Sequence, residues 1–91
     1  MAGGKRIAVV VRDRQAEGIR MGVGLSVLHS VDLYVLDNMI GDHPDIAFNL
    51  TMAGELSLKV VSNMVDESGT VHLPTEEIGR RLLEYDAVLC Y

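Results

Sequence analysis

The chain is poor in aromatic residues and has almost no cysteine. Tyrosine and phenylalanine make up 4% of its 91 residues, tryptophan is absent, and Cys90 is the single cysteine. The core must therefore be built from aliphatic side chains and methionine. One cysteine excludes an internal disulfide framework and is typical of a reducing compartment, so we expect a cytoplasmic protein.

Long hydrophobic runs and clusters of basic residues are also lacking. The longest apolar run, residues 7–11, is far too short to span a bilayer, and no small-residue cleavage site of a signal peptide follows it. The formal charge is −5, and the arginines occur as isolated pairs. A protein that follows a phosphate backbone needs clustered cations. We therefore expect neither a membrane nor nucleic acid as a partner.

The chain does contain a regular alternation of strand-like and helix-like segments. Short β-branched runs indicate buried strands, and apolar residues spaced three and four apart indicate helices. This alternation predicts one α/β domain over residues 1–91, with a short parallel sheet of about four strands covered by helices. The predicted strands are residues 5–11, 31–36, 58–62 and 87–91, with a short extended piece at 71–73 and a turn at 66–69. The predicted helices are residues 14–28, 43–56 and one that begins at 74–75.

Details of the first two helices add further expectations. Asp13 is a favoured residue type for capping the first helix, and Gly18, Gly22 and Gly24 inside that helix indicate close packing of its backbone. In the second helix, Phe48 and Met52 lie away from the predicted inward stripe. Together with an apolar fraction of 48%, this predicts an oligomer.

Polar residues that follow the predicted strands are the candidates for a site. In an open parallel sheet, ligands bind beyond the carboxyl ends of the strands. The candidate ligand-binding residues at these ends are Arg12, Asp13, Asp37, Asn38 and Asn63. Cys90, on the last strand, is the candidate nucleophile if it lies near Arg12 or Arg14, whose charge would stabilise a thiolate. The alternative is a buried cysteine that acts as a small hydrophobe, which its neighbours Val88 and Leu89 favour.

Several other chemistries are disfavoured. The helix glycines do not form a strand-to-helix phosphate loop, and the acids do not follow the phospho-acceptor pattern of receiver domains. His29, His43 and His72 are dispersed, without the spacing of metal ligands. We therefore expect no metal and no cofactor.

In its layout the chain resembles the DsrE/DsrF/DsrH-like superfamily of small sulfur-relay proteins. The matching segments are KRIAVVV at residues 5–11, VDLYVLD at 31–37 and LEYDAVL at 83–89, the last similar to the helix–Tyr-Asp–strand ending of the DsrH type. The resemblance implies a flavodoxin-like, three-layer α/β/α fold. It also implies homo-oligomers or hetero-oligomers with other sulfur-relay proteins, and transfer of persulfide sulfur between cysteines.

One departure from the family separates three functional hypotheses. Active DsrE-type members carry their cysteine in the segment after the third strand, whereas residues 62–75 contain none and Cys90 does not match that motif. This favours an accessory, partner-binding member of a sulfur relay. The alternatives are a thiol sulfurtransferase that uses Cys90, and a regulatory module that binds a small molecule at Asp13, Asn38 and Asn63.

Overall fold

The computed structural model describes residues 4–64 and 70–91. The described residues form five strands and three helices, in the predicted α/β alternation. In chain order they are β1 (Arg6–Val11), α1 (Gln15–Leu25), β2 (Ser30–Val35), α2 (Pro44–Glu55), β3 (Lys59–Ser62), β4 (Val71–His72), α3 (Thr75–Leu82) and β5 (Ala87–Cys90). The sheet has one strand more than the four expected, because the short extended piece predicted at residues 71–73 forms the strand β4. The predicted turn at residues 66–69 lies outside the described residues.

The strands form one parallel sheet in the order β4-β3-β2-β1-β5. The chain first moves outward from β1 through β2 to β3 and β4, and then returns through α3 to β5 on the other side of β1. Right-handed crossovers in opposite directions place their helices on opposite faces of a sheet. The result is three layers, compatible with a flavodoxin-like arrangement.

Alternating side chains of the strands form two apolar layers. One lies under α1 and α2, where Ile19 and Ile46 belong to the same apolar cluster as the odd-numbered residues of β1. The other lies under α3, where Ile78 packs with Ala8, Val10 and neighbouring side chains. The interior strand β1 is buried from Ile7 onward, which explains its continuous aliphatic sequence. In the part of the chain that the structure describes, one helix of eight residues, α3, covers the second face, and Val88 at the β5 side of that face stays exposed.

The start and end of α1 differ from the prediction. The helix begins at Gln15 with Arg14 as its N-cap, so Asp13 does not cap it. Asp13 lies one residue too early, and its carboxylate instead accepts a hydrogen bond from Asn38 Nδ2 at 3.3 Å. The helix ends at Leu25 rather than at residue 28, because the following turn bonds Leu28 N–H to Leu25 O and leaves the Leu28 side chain exposed.

The helix glycines behave in two different ways. A Cβ atom on Gly18 would lie 2.6 Å from Val11 Cγ2, and one on Gly22 would lie 2.4 Å from Leu33 Cδ2. Close packing of the helix on the sheet is therefore confirmed at these two positions. It is wrong for Gly24, where an added Cβ atom would lie more than 4 Å from every described atom outside the local helix backbone.

Candidate functional site

The carboxyl edge of the sheet brings most of the predicted site residues together. Because the strands are parallel, β5, β1, β2 and β3 end side by side at this edge, and the segments that follow them begin there. The chain enters α1 on one face after β1, whereas it reaches the adjacent β5 from α3 on the other face. This change of direction creates a crevice outside the ends of β1 and β5, the usual ligand position in open α/β sheets.

Five polar residues, which we call the edge network, are connected across the ends of β1, β2 and β3. Its members are Arg12, Asp13, Asp37, Asn38 and Asn63. Asn63 accepts a bond from Asp37 N–H at 2.9 Å and donates one to the Asp37 carboxylate at 2.9 Å. Asn38 Nδ2 donates to Arg12 O at 3.0 Å, and Arg12 Nε lies 3.2 Å from Asp37 Oδ2.

The backbone of Asp37 depends on this network. Its φ of 70° is in the left-handed region, which is uncommon for residues other than glycine, although aspartate tolerates it better than most. The two hydrogen bonds with Asn63 hold the residue in this conformation. The edge network is therefore a connected structural element that fixes the loop after β2 next to the loop after β3.

An open hollow lies next to the edge network, on the α3 face of the sheet. Its volume is about 170 Å³. Its lining is mainly aliphatic, with the guanidinium-bearing Arg12 and the thiol-bearing Cys90 as its two reactive or charged members. The lining residues are Val10, Arg12, Leu36, Leu82, Val88, Cys90 and Tyr91.

Cys90 is exposed, so the expectation of a buried strand cysteine is wrong. Its neighbours Val88 and Leu89 are apolar, but β5 is an edge strand and both keep more than a third of their surface accessible. Apolar neighbours in the sequence indicate burial only where a strand has cover on both faces. The thiol position is fixed by the strand pairing, in which Cys90 lies beside Val10.

Of the two arginines considered as neighbours of the thiol, only Arg12 lines the hollow. The Arg14 guanidinium lies 5.8 Å from the centroid of the Tyr91 ring and forms an ion pair with Glu17 at 2.6 Å. Its hydrogen bond holds the pKa of the Glu17 carboxyl below the ordinary value. Arg12 keeps most of its side chain exposed while paired with Asp37, which leaves guanidinium donors available to a bound anion.

Thr75 is a member of the site that the sequence prediction omitted. Its Oγ1 lies 3.1 Å from Asn63 Nδ2, so the start of α3 joins the edge network. The signal was present in the sequence, because a helix that crosses between parallel strands begins at the carboxyl edge of the sheet. Leu82, at the other end of α3, also lines the hollow.

The histidines do not converge. His29 Nδ1 accepts from Lys5 N–H at 3.1 Å, and His43 Nδ1 accepts from Asp45 N–H at 3.1 Å as the cap of α2. Within residues 4–64 and 70–91 there is no group of three or more potential metal ligands.

A second polar cluster lies at the opposite edge of the α3 face. The Tyr85 hydroxyl donates to Asp32 Oδ2 at 2.5 Å and lies 2.9 Å from the hydroxyl of the buried Tyr34. Burial, followed by the hydrogen bond to Asp32, raises the pKa of Tyr85 far above its ordinary value. The Arg6 guanidinium lies 4.8 Å from the Tyr85 ring centroid. This cluster attaches the segment between α3 and β5 to the sheet.

No helix in the described part of the chain is long and apolar enough to cross a bilayer. No protein-family model, curated protein or solved structure matches the sequence or its fold.

Proposed function

We propose that the protein carries sulfur on the Cys90 thiol, as a cytoplasmic component of a persulfide relay. The observation that carries this proposal is the exposed position of Cys90 in the hollow that Arg12 also lines. The hollow lies at the crevice where parallel sheets receive their ligands. A thiol that must react with a donor and then with an acceptor needs this accessibility.

The proposed reaction is a thiol exchange without net oxidation. The Cys90 thiolate attacks the outer sulfur of a donor persulfide, and a new S–S bond forms between Cys90 Sγ and that sulfur. The S–S bond of the donor breaks, its electron pair leaves with the inner sulfur, and the donor thiolate takes up the proton released by Cys90. The products are a Cys90 persulfide and a donor thiol.

Arg12 has a defined place in this proposal. A persulfide is an anion at neutral pH, and the Arg12 guanidinium is the cationic group of the hollow. Its ion pair with Asp37 fixes its position without burying it. We therefore assign it the binding of the incoming persulfide and of the persulfide formed on Cys90.

The resemblance to the DsrE/DsrF/DsrH-like superfamily supports the substrate class. The absence of a cysteine in residues 62–75 argues against use of that family's own thiol position. Cys90 is thus proposed as a separate thiol site on a similar layout. The accessory role, in which the protein binds other relay proteins without carrying sulfur, is the alternative that an unreactive Cys90 would favour.

Intact-protein mass spectrometry after incubation with a small persulfide donor tests the proposal. We expect a gain of one sulfur atom that is removed by a reducing thiol and absent in Cys90→Ser. Arg12→Gln keeps a polar side chain but removes the charge and should slow the gain, whereas Arg20→Gln, a charge-matched control on α1, should not. A native thiol that stays unmodified by both the donor and an alkylating agent would refute the proposal and favour the accessory role.

The edge network favours a second candidate, a regulatory module that binds a small polar molecule. Its amide and carboxylate groups are exposed at the crevice and held in place by one another. A metabolite screen by thermal shift tests this function, with Asn38→Ala as the site variant and Asn49→Ala on α2 as its control. Ligands that stabilise the wild type and the control equally, but not Asn38→Ala, would support it. No stabilisation by any metabolite class would exclude it.

A further inference from the structure

Arg12 is accompanied by carboxylates where it lines the hollow. Its Nε atom lies 3.2 Å from Asp37 Oδ2. Asp13 follows it in the chain, and Asn38 Nδ2 donates both to the Arg12 carbonyl and to the Asp13 carboxylate. A ligand that carried only negative charge would be attracted by Arg12 and repelled by the two aspartates. The arrangement is better matched to a ligand that carries both signs of charge.

The pair formed by Arg12 and Asp37 keeps both hydrogen-bond donors and acceptors for such a ligand. Asp37 engages Nε of Arg12, which leaves the two terminal nitrogen atoms of the guanidinium as donors. Asp37 Oδ1 accepts from Asn63 and Oδ2 faces Arg12, but each carboxylate oxygen has a second lone pair. The two side chains are 61% and 52% exposed, so solvent reaches both charged groups.

The edge network holds this pair in place before any ligand arrives. Asn63 accepts from Asp37 N–H and donates to the Asp37 carboxylate, each at 2.9 Å. Asn38 holds the backbone of Arg12 through its carbonyl at 3.0 Å. Groups that are already ordered lose less conformational freedom on binding, and this favours affinity for a small ligand.

The hollow limits the size and the character of the rest of the ligand. Its volume is about 170 Å³. Pockets for drug-sized molecules are larger, at about 300–1,000 Å³. Cys90 shares the lining with Arg12, and most of the other lining residues are aliphatic. A fitting ligand therefore has few heavy atoms, with a charged head group at the pair and a short arm that reaches the thiol.

We infer that the sulfur donor of Cys90 is a low-molecular-weight persulfide with an α-amino-acid head group. Its carboxylate accepts from the terminal nitrogen atoms of Arg12, and its ammonium group donates to Asp37. Its short arm presents the outer sulfur to Cys90 Sγ. An α-amino acid carries both charges on one carbon, so they are close enough together to face an adjacent guanidinium and carboxylate. The inference rests on the proposed function, because it names the class of molecule that supplies the sulfur.

The sulfur transfer balances with this donor. A bond forms between Cys90 Sγ and the outer sulfur, and the S–S bond of the donor breaks. The electron pair leaves with the inner sulfur, and the resulting thiolate takes up the proton released by Cys90. The products are a Cys90 persulfide and a free amino-acid thiol. Arg12 and Asp37 bind the head group and take no part in the bond changes.

Four persulfide donors that differ in charge test the inference by intact-protein mass spectrometry. The persulfide of L-cysteine has both charges, that of cysteamine lacks the carboxylate, and that of 3-mercaptopropionate lacks the ammonium group. The persulfide of N-acetylcysteine amide lacks both and resembles a cysteine within a protein donor. Each rate of sulfur gain is divided by the rate of the same donor with the urea-unfolded chain, which removes intrinsic reactivity.

The L-cysteine persulfide should load Cys90 fastest after this correction. We expect a loss of about fivefold for each missing charge, as for an ion pair that solvent still reaches. Equal corrected rates for the four donors would overturn the inference. A fastest rate with the uncharged donor would also overturn it, and would indicate a protein as the donor.

Two charge-neutralising variants assign the two charges of the head group. Arg12→Gln should slow the two carboxylate-bearing donors about fivefold more than it slows cysteamine persulfide. Asp37→Asn should slow the two ammonium-bearing donors only, and asparagine accepts the φ of 70° at this position. If Asp37 only positioned Arg12, the carboxylate-bearing donors would be slowed instead, and the assignment would be wrong. Asp45→Asn, on the exposed start of α2, is the matched control and should change no rate.

Binding to the Cys90→Ser protein separates this inference from the proposed function. L-2-aminobutyrate has the shape of cysteine with a methyl group in place of the thiol, and butyrate lacks its ammonium group. Saturation-transfer NMR should detect binding of L-2-aminobutyrate, weaker binding of butyrate, and loss of this difference in Asp37→Asn. Binding of L-2-aminobutyrate without sulfur gain on Cys90 contradicts the relay alone. Sulfur gain at equal corrected rates from all four donors contradicts the head-group inference alone.

Discussion

Alanine substitutions at Gly18 and Gly24 should change the stability of the protein in opposite directions. Both residues lie in α1, and alanine is favoured over glycine in a helix by about 0.5–1 kcal/mol. At Gly24 the added methyl group would meet no atom of the described residues within 4 Å beyond the local backbone of the helix. Gly24→Ala should therefore raise the free energy of unfolding by about 0.5 kcal/mol, near the lower limit because the site is in the last turn.

At Gly18 the same methyl group has no space. It would lie 2.6 Å from Cγ2 and 3.2 Å from Cγ1 of Val11, and 3.1 Å from Tyr91 Cβ. Val11 is fully buried, and its branched side chain has little freedom to rotate. Overpacking of this kind costs about 1–3 kcal/mol, which exceeds the helix gain. We expect Gly18→Ala to lower the free energy of unfolding by about 1–2 kcal/mol.

Urea unfolding followed by circular dichroism, at one protein concentration, measures both effects. The two variants should differ by about 2 kcal/mol, or roughly 8–16 °C in the thermal midpoint of a domain of this size. If Gly18→Ala is as stable as Gly24→Ala, the backbone of α1 does not contact β1 as closely as the distances indicate. The interpretation of glycine as a packing residue would then be refuted.

Three further predictions concern the remaining polar groups. Tyr85→Phe removes the hydroxyl that bonds Asp32 and Tyr34, and both partners then lack this bond at a half-buried site. Urea unfolding should therefore show a free energy of unfolding that is lower by about 1–3 kcal/mol. An unchanged midpoint would contradict the network. The hydrogen bond from Arg80, followed by the charge of Arg80, lowers the pKa of Glu77. In Arg80→Gln, NMR titration of the Glu77 carboxyl should show that its pKa rises toward the ordinary value. Because this pKa is depressed in the folded state, the stability that it contributes is present above the ordinary glutamate pKa and should be lost as the pH falls through the folded pKa. Over this pH range the free energy of unfolding should fall more in the wild type than in Arg80→Gln.

Asp13 was predicted to cap α1 but does not, and its carboxylate accepts a long, exposed hydrogen bond from Asn38. Asp13→Ala should therefore lower the free energy of unfolding, measured with urea, by no more than about 0.5 kcal/mol.

The sequence by itself determined the element types and their order. Five successive aliphatic residues after Arg6, four of them β-branched, favour a strand that is buried on both faces. Pro44 marks the first turn of α2, because an N–H group at that position would have no partner in the helix. The candidate polar residues were also predictable, since parallel strands direct their following loops to a single edge. Local patterns suffice for these features because each depends on periodicity or on a single backbone group.

Only the tertiary structure decided which strand lies at the edge and therefore what is accessible. Val88, Leu89 and Cys90 have the same apolar character as residues of β1, but within residues 4–64 and 70–91 β5 has one neighbouring strand and β1 has two. Strand order depends on the direction of each crossover, which no local pattern contains. The same is true of Gly18 and Gly24, alike in the sequence, of which only the first faces the sheet. Exposure of the thiol, its proximity to Arg12 and the hollow between them are consequences of strand order, and strand order arises when the whole chain packs.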